Sequence, residues 1–285
     1  MTTIDLPVSD VVAPSTGALS QLVSKLRNVA VMTRRNLMHI AREPMQLSDV
    51  TIQPVLFTVL FVYVFGSGMT LPGGGSYTDF VIAGLLTMNL VTSSMGTGVG
   101  LATDLSTGMI ERFRTLPMWR SSVLVGRTVA DLLSAALCSV IVCLTGLVVG
   151  WRADSSMLSV LAGIGVALFF AYALTWPTAC LGLLAKEPES AMSIGFVIIF
   201  PLAFISNALV PTLHMPSWLR AIADWNPVSS VTSAVRELWG NPNPVPPDSS
   251  WPMQHPLEAA IVWSIVLIAV AAPIAAYLFR RRTTD

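Results

Sequence analysis

Six apolar stretches recur along the chain, at about 50–69, 79–103, 123–150, 156–183, 190–211 and 257–279, with polar runs between them. A helix that crosses the hydrocarbon core of a bilayer needs about 20 apolar residues, so the pattern predicts six membrane spans. Residues 80–103, 155–185 and 259–279 contain no Asp, Glu, Lys, Arg or His. The second of these runs is longer than one span needs. Trp176-Pro177 within it predicts a kink or the approach to a helix end.

Two further regions have helical periodicity without enough hydrophobicity to span. In residues 24–43, Leu26, Val29, Ala30, Thr33, Leu37 and Ile40 share one face at 100° per residue, with Asn28, Arg35, His39 and Arg42 opposite. Val31, Met32 and Met38 break the stripe, and Pro44 ends it, giving an element over 24–44. A basic amphipathic helix of this kind lies in the membrane interface; a surface helix packed on the bundle is the plainer alternative. Between the last two spans, "MPSWLRAIADW" and "NPVSSVTSAVRELWG" predict two short helices, begun by Pro216-Ser217 and Asn226-Pro227. Trp218, Trp225, Trp239 and Trp251 crowd this region. Tryptophan favours the membrane–water boundary, so both helices are expected to dip into the outer leaflet. "NPNPVPPD" (241–248) reads as a connector too broken for helix.

Charge sets the orientation. With the N-terminus cytoplasmic, thirteen of the 16 Lys and Arg residues lie inside, and only Arg152, Arg220 and Arg236 lie outside. The positive-inside rule then puts both termini in the cytoplasm and makes the number of spans even. Residues 1–23, polar and acidic, read as a flexible cytoplasmic segment and not as a signal peptide, and 283–285 as a tail. Of the 285 residues 53% are hydrophobic and 11% charged, against about 25% charged in soluble domains. The fold class is therefore an all-α integral membrane protein. A net charge of zero gives no bulk basicity for nucleic acid.

Catalytic chemistry is hard to find. There is no G-x-x-x-x-G-K-[ST] and no H-E-x-x-H. Cys138, Cys143 and Cys180 lie in apolar segments without ligand spacing, and His39, His214 and His255 are scattered. "GTGVGLA" (Gly96–Ala102) sits inside a span with no preceding strand, so its glycines read as sites of close helix packing. "PGGGS" (72–76) reads as a flexible turn. One intramembrane ion pair stands out. Asp131 lies about 15 Å into the third span, and a charge at that depth costs about 2.5–3.5 kcal/mol. Arg127, four residues earlier, can pair with it on one helix face. The pair reads either as a structural, snorkelling couple or as a gating or substrate-facing element. The further acids read at span ends are Asp79 and Glu258, too few for a proton relay.

The densest charge is "GMIERFRTLPMWR", between the second and third spans, on the predicted cytoplasmic side. Ile110, Phe113 and Leu116 share a face, Arg112 points mostly away from it, and Pro117 closes the segment. A short amphipathic helix joined to two spans can act as a rigid lever.

With its continuation, "GMIERFRTLPMWRSSVLVGRTVAD", this loop resembles that of the ABC-2 type permeases, in particular their daunorubicin-resistance branch. The pattern is G-x-x-E-R-x-R-x-x-P followed by G-R-x-x-x-D. The segment "MPSWLRAIADWNPVSSVTSAVRELWG" is also similar to that family's stretch before the last span, and the resemblance extends over most of residues 24–282. Met118-Trp119 departs from the small or β-branched residues usual after the proline. The resemblance implies a type V ABC exporter-like fold, with six spans in 45–282, an interfacial N-terminal helix and re-entrant outer helices marked by Trp218, Asn226, Pro227 and Arg236. It implies a coupling helix carrying Gly108, Glu111, Arg112, Phe113, Arg114 and Pro117 that docks on a separate ABC ATP-binding subunit, with "AKEPES" (185–190) as a smaller second contact. It implies a homodimer, or a heterodimer with a second permease, in a bacterial inner membrane. No cofactor is expected on this chain; ATP and Mg belong to the partner ATPase.

The function so implied is export of amphipathic drugs or lipid-like molecules, by a permease subunit that is not itself an enzyme. An ion-coupled secondary transporter would need inverted repeats and intramembrane acids. A membrane-embedded transferase would need a nucleophile or a catalytic acid pair. Neither signature is present. Asn89, Thr92, Ser93, Ser94 and Asn207 among bulky aliphatics suit an amphipathic cargo.

Overall fold

In the computed structural model, the residues described are 18–66, 68, 69, 71, 72, 74–109, 122–246 and 248–282, without the side chains of 18–22, 39, 40, 45, 46 and 214. Among them every regular element is helical. In chain order these are α1 (Ala18–Arg42), α2 (Pro44–Leu60), α3 (Tyr77–Ser93), α4 (Met95–Ser106), α5 (Ser122–Val148), α6 (Met157–Leu184), α7 (Pro188–Phe204), α8 (Ser217–Asp224), α9 (Pro227–Trp239), α10 (Trp251–Gln254) and α11 (Pro256–Arg282). Five segments are long and apolar enough to cross a membrane: Leu47–Phe65, Tyr77–Ser106, Ser122–Val148, Met157–Leu184 and Pro256–Arg282. The apolar helix Pro188–Phe204 is shorter.

The boundaries depart from the hydropathy pattern where local chemistry intervenes. Helix α2 starts six residues before the predicted 50, because Pro44 stands in its first turn, where a missing N–H costs nothing. It continues as a π-helical turn over Phe61–Phe65 and turns at Gly66. The second predicted span is broken at Ser94 into α3 and α4. Three consecutive hydroxyls precede the break. Thr92 donates to the Met88 carbonyl, Ser93 to Leu90 and Ser94 to Val91, a back-bonding that bends helices. Pro177, by contrast, does not end its helix; α6 runs on to Leu184. The fifth predicted stretch ceases to be helical at Phe204, seven residues before the expected 211.

The α3–α4 segment is the centre of the bundle: 72% of its apolar window is buried, against 17% for that of α2. One apolar cluster gathers Phe80, Ile82, Leu86 and Leu90 of α3 with Phe170 of α6 and Trp239 of α9. A second, toward the other end, joins Met32 of α1, Leu101 of α4, Leu124 of α5, Leu183 of α6 and Phe279 of α11.

Helix α1 begins at Ala18, earlier than the predicted 24, and packs on α5. The packed face overlaps the predicted stripe in part, through buried Thr33 and half-buried Val29 and Leu37. Met32, which breaks the pattern, is buried together with Thr33 and Asn36, whereas Leu26 is exposed. The turn chemistry before α9 is as read. The Asn226 side chain caps the Val228 N–H at 2.8 Å with Pro227 next, and Gly240, at φ +68°, ends the helix in the left-handed region that glycine adopts freely. The environment of α9 is the surprise. All residues from Val228 to Arg236 are buried, against α3, α6 and α11. Trp239 is buried as well; its indole lies against Trp151, the rings tilted with centroids 4.7 Å apart, and donates to the Val160 carbonyl. The exposed tryptophans are Trp218, Trp225 and Trp251. Residues 241–246 form the non-helical connector expected.

Candidate functional site

The predicted coupling segment starts where α4 ends. Gly108 follows the last turn at φ +65°, its N–H bonded to the Leu105 carbonyl, so it is the left-handed residue that terminates α4. Glu111, Arg112, Phe113, Arg114 and Pro117 lie outside the described residues.

The polar centre next to that segment is built from α4 and α5. Arg127 and Asp131, one turn apart on α5, do meet, with Nε 3.5 Å from Oδ2. Thr97 of α4 donates its hydroxyl to the same carboxylate oxygen at 2.5 Å. Arg127 Nη2 donates to the Gly96 carbonyl at 2.9 Å. The guanidinium therefore lies on the backbone of α4, across Gly96 and Gly100. A Cβ at Gly100 would fall 1.8 Å from Nη2. The glycines of "GTGVGLA" thus have two duties. Gly100 leaves the room for the Arg127 guanidinium, to which Gly96 offers only its carbonyl, while Gly98 faces α6, where a Cβ on Gly182 would stand 2.1 Å from the Gly98 carbonyl oxygen. Thr178 of α6 also donates to the Ser94 carbonyl at 2.8 Å, stapling the α3–α4 break to α6.

Beside Asp131, between α3, α5 and α6, is a cavity of about 10 Å³ whose wall includes Ser93, Ser94 and Thr175. That is room for one water and far below the 300–1,000 Å³ or so of a drug-sized pocket.

A second ion pair was not among the acids expected at span ends. Asp104 in the last turn of α4 is held by Arg35 of α1 at 3.1 Å. The only local signal for it is its place four residues after Gly100. The pairing itself spans 69 residues and is not written in any short motif. The Arg35–Asp104 pair ties α4 to α1, and the hydrogen bonds from Thr97 to Asp131 and from Arg127 to the Gly96 carbonyl tie it to α5.

At the other end of α3, Arg236 of α9 is fully buried with no acid bonded to it. Its Nε donates to the Phe80 carbonyl at 2.9 Å, and Nη2 donates to the carbonyls of Asn207 and Ala208 at 3.0 and 2.8 Å. The guanidinium carbon also lies 3.6 Å from the Phe80 ring centroid. Burial pulls its pKa down to about 9, which leaves the cation charged at neutral pH. The Asn226 amide donates to the Leu202 and Ile205 carbonyls. Asn226 takes up the Leu202 carbonyl that α7 leaves open at its end and the Ile205 carbonyl just beyond it, and Arg236 holds the non-helical stretch that follows at Asn207 and Ala208. Trp218, the remaining residue singled out in this segment, is exposed on α8 and belongs to neither polar cluster.

The chain matches the ABC-2 type transporter family over residues 27–238. It is 35% identical over 204 residues to the daunorubicin resistance ABC transporter permease protein DrrB1 of Streptomyces coeruleorubidus, covering 72% of each chain. It is 23% identical to the probable doxorubicin resistance ABC transporter permease protein DrrC of Mycobacterium tuberculosis, over 89% of this chain and 88% of that one. A putative transport permease, ycf38, of Porphyra purpurea is 24% identical over 76% and 75% of the two chains. The long apolar helices and these matches make it an integral membrane protein. By the extent of the match, this chain belongs to the ABC-2 type transporter family of membrane permeases.

Proposed function

We propose that the chain is the transmembrane permease subunit of an ATP-driven exporter of amphipathic drugs or lipid-like molecules. The observation that carries the reading is the similarity to permeases named for daunorubicin and doxorubicin resistance, joined to the Gly108–Arg120 motif directly after α4. In this reading α7 is the fifth of six spans, both termini are cytoplasmic, and α8 and α9 belong to the outer side. Glu111 and Arg112 engage the ATP-binding subunit, where ATP and Mg bind. Motion of that subunit enters the bundle through α4 and is passed to α1 by Arg35–Asp104 and to α5 by the hydrogen bonds of Thr97 to Asp131 and of Arg127 to the Gly96 carbonyl. The permease works as a pair, with a second copy or with a different chain. Pairing with Arg127 leaves Asp131 without the free carboxyl that an ion-coupled carrier needs.

The test is co-expression with a candidate ATP-binding subunit in membranes. Exchanging the charges, Glu111→Arg with Arg112→Glu, should cut both co-purification and drug-stimulated ATP hydrolysis, while the permease stays in the membrane. Charge-assisted contacts contribute about 1.5–3 kcal/mol each, so a loss of at least tenfold in affinity is expected. Unchanged export by the exchanged protein rules the coupling role out.

A further inference from the structure

Helix α1 has two different faces. Met32, Thr33 and Asn36 are buried. Thr33 donates to the Gly126 carbonyl at 3.3 Å in the first turns of α5, and Arg35 reaches Asp104 in the last turn of α4. The helix therefore lies across the ends of α4 and α5. Met32 shares its apolar cluster with Leu183 and Phe279, so the ends of α6 and α11 belong to the same end of the bundle. Arg281 and Arg282 are exposed there.

The opposite face of α1 mixes two kinds of side chain. Val23, Leu26, Val31 and Met38 are 60, 62, 57 and 40% exposed. At 100° per residue Arg27 and Arg34 fall among them, Arg42 stands at the edge, and all three are exposed. The helix contains no acid. Asp104 is taken by Arg35, and among the described residues the other acids near this end, Glu43, Asp49, Glu187 and Glu189, lie on the connections and the starts of α2 and α7. Water disfavours the aliphatic half of this face and hydrocarbon disfavours the arginines. The boundary between them suits both, with the aliphatics among acyl chains and the guanidinium groups raised to the phosphates.

We propose that this face of α1, together with Arg281 and Arg282, is a binding surface for the headgroups of anionic phospholipids. The charge complementarity is one-sided, so the surface selects anionic over zwitterionic lipid. A guanidinium also matches phosphate oxygens in two-point hydrogen bonds. The inference depends on the membrane location of the chain and not on what it exports; its test needs neither cargo nor ATPase.

The full chain, purified in neutral detergent, is titrated with dioleoylphosphatidylglycerol or dioleoylphosphatidylcholine, and bound lipid is counted by native mass spectrometry. The parent should prefer phosphatidylglycerol, less so as salt is raised. The triple variant Arg27→Gln, Arg34→Gln, Arg42→Gln should lose phosphatidylglycerol affinity by roughly 5-fold per arginine, about 100-fold in all, with phosphatidylcholine binding unchanged. The corresponding triple change to lysine should keep most of the preference. Equal affinity of the parent for the two lipids overturns the proposal, as does a glutamine triple within twofold of the parent. It is also overturned if the lysine and glutamine triples lose phosphatidylglycerol alike, because charge is then not the cause. A glutamine triple that loses only a co-purifying ATP-binding subunit assigns the face to that subunit instead.

Discussion

Replacing Gly100 by alanine isolates the bed on which Arg127 rests. A Cβ there would stand 1.8 Å from Nη2, 2.1 Å from Cζ and 2.3 Å from Nη1 of Arg127. Ordinary van der Waals separation is about 3.5 Å, so the guanidinium must move by about 1.5 Å or more. The shift breaks its hydrogen bond to the Gly96 carbonyl, a charge-assisted contact of about 1.5–3 kcal/mol. It also opens the ion pair with Asp131, already at 3.5 Å. Against this, Gly→Ala inside a helix gains about 0.5–1 kcal/mol. The net expectation is a loss of about 1–2 kcal/mol, read as a lower thermal midpoint in detergent. The context of the loss identifies its cause. With Arg127→Leu already in place the clash has no partner, and Gly100→Ala should become neutral or stabilising. In the Asp131→Asn background the loss should shrink, because no stranded carboxylate remains. If Gly100→Ala stabilises the parent by the full helix-propensity gain, or destabilises all three backgrounds equally, Arg127 does not occupy that bed and the reasoning is wrong.

Other expectations concern separate parts of the bundle. Arg236→Met removes the donors of the Asn207 and Ala208 carbonyls. Each buried acceptor left unpaired costs about 1–3 kcal/mol, so a loss of about 2–5 kcal/mol is expected, with Arg236→Lys in between; a methionine variant as stable as the parent in equilibrium unfolding refutes the pinning role. Gly182→Ala sets a methyl against the Gly98 backbone and should destabilise, whereas Gly165→Ala on the same helix meets nothing within 4 Å and should be neutral or better; equal melting shifts for the two would contradict the close crossing of α4 and α6. Burial pushes the Asp224 carboxyl above its ordinary pKa, with an unpaired oxygen inside. Its folded form therefore favours the proton, and that contribution is present below the unfolded pKa of about 4 and lost as pH rises through the folded value. Asp224→Asn should then melt higher than the parent at neutral pH, with the gap closing in acid; a gap that does not change with pH refutes this.

The parts legible in the sequence are those whose causes are local. Hydropathy placed the long apolar helices because lipid solubility is a property of each segment by itself. Arg127 and Asp131 were readable as a pair because four residues of helix bring them together whatever surrounds them. Asn226-Pro227 and Gly240 bounded α9 by their own backbone preferences. What escaped depends on distant partners. Ser229, Ser230, Thr232 and Ser233 look like a solvated face, yet all are buried, and nothing in the segment reports that α3, α6 and α11 close over it. The early end of α7 was invisible for the same reason: "IFPLAFISNALV" is apolar throughout, and only Arg236 and Asn226 reveal where its carbonyls are taken. On α1 the packed face is rotated from the stripe, keeping Thr33 and adding Met32 and Asn36. Periodicity ranked Met32 as an exception, whereas the approach allowed by Gly126 makes it the contact.

A helix lined with hydroxyls and carrying a dry arginine cannot partition into a bilayer on its own hydropathy. Helix α9 is synthesised after α3 and α6, but before α11, and it is packed by all three. A nascent chain that has emerged only as far as Trp251 therefore holds a complete α9 with one flank uncovered. The insertion of α11 is the event that completes the enclosure of α9. The order of synthesis thus becomes an order of assembly, in which a later segment closes a core whose other walls were laid down earlier.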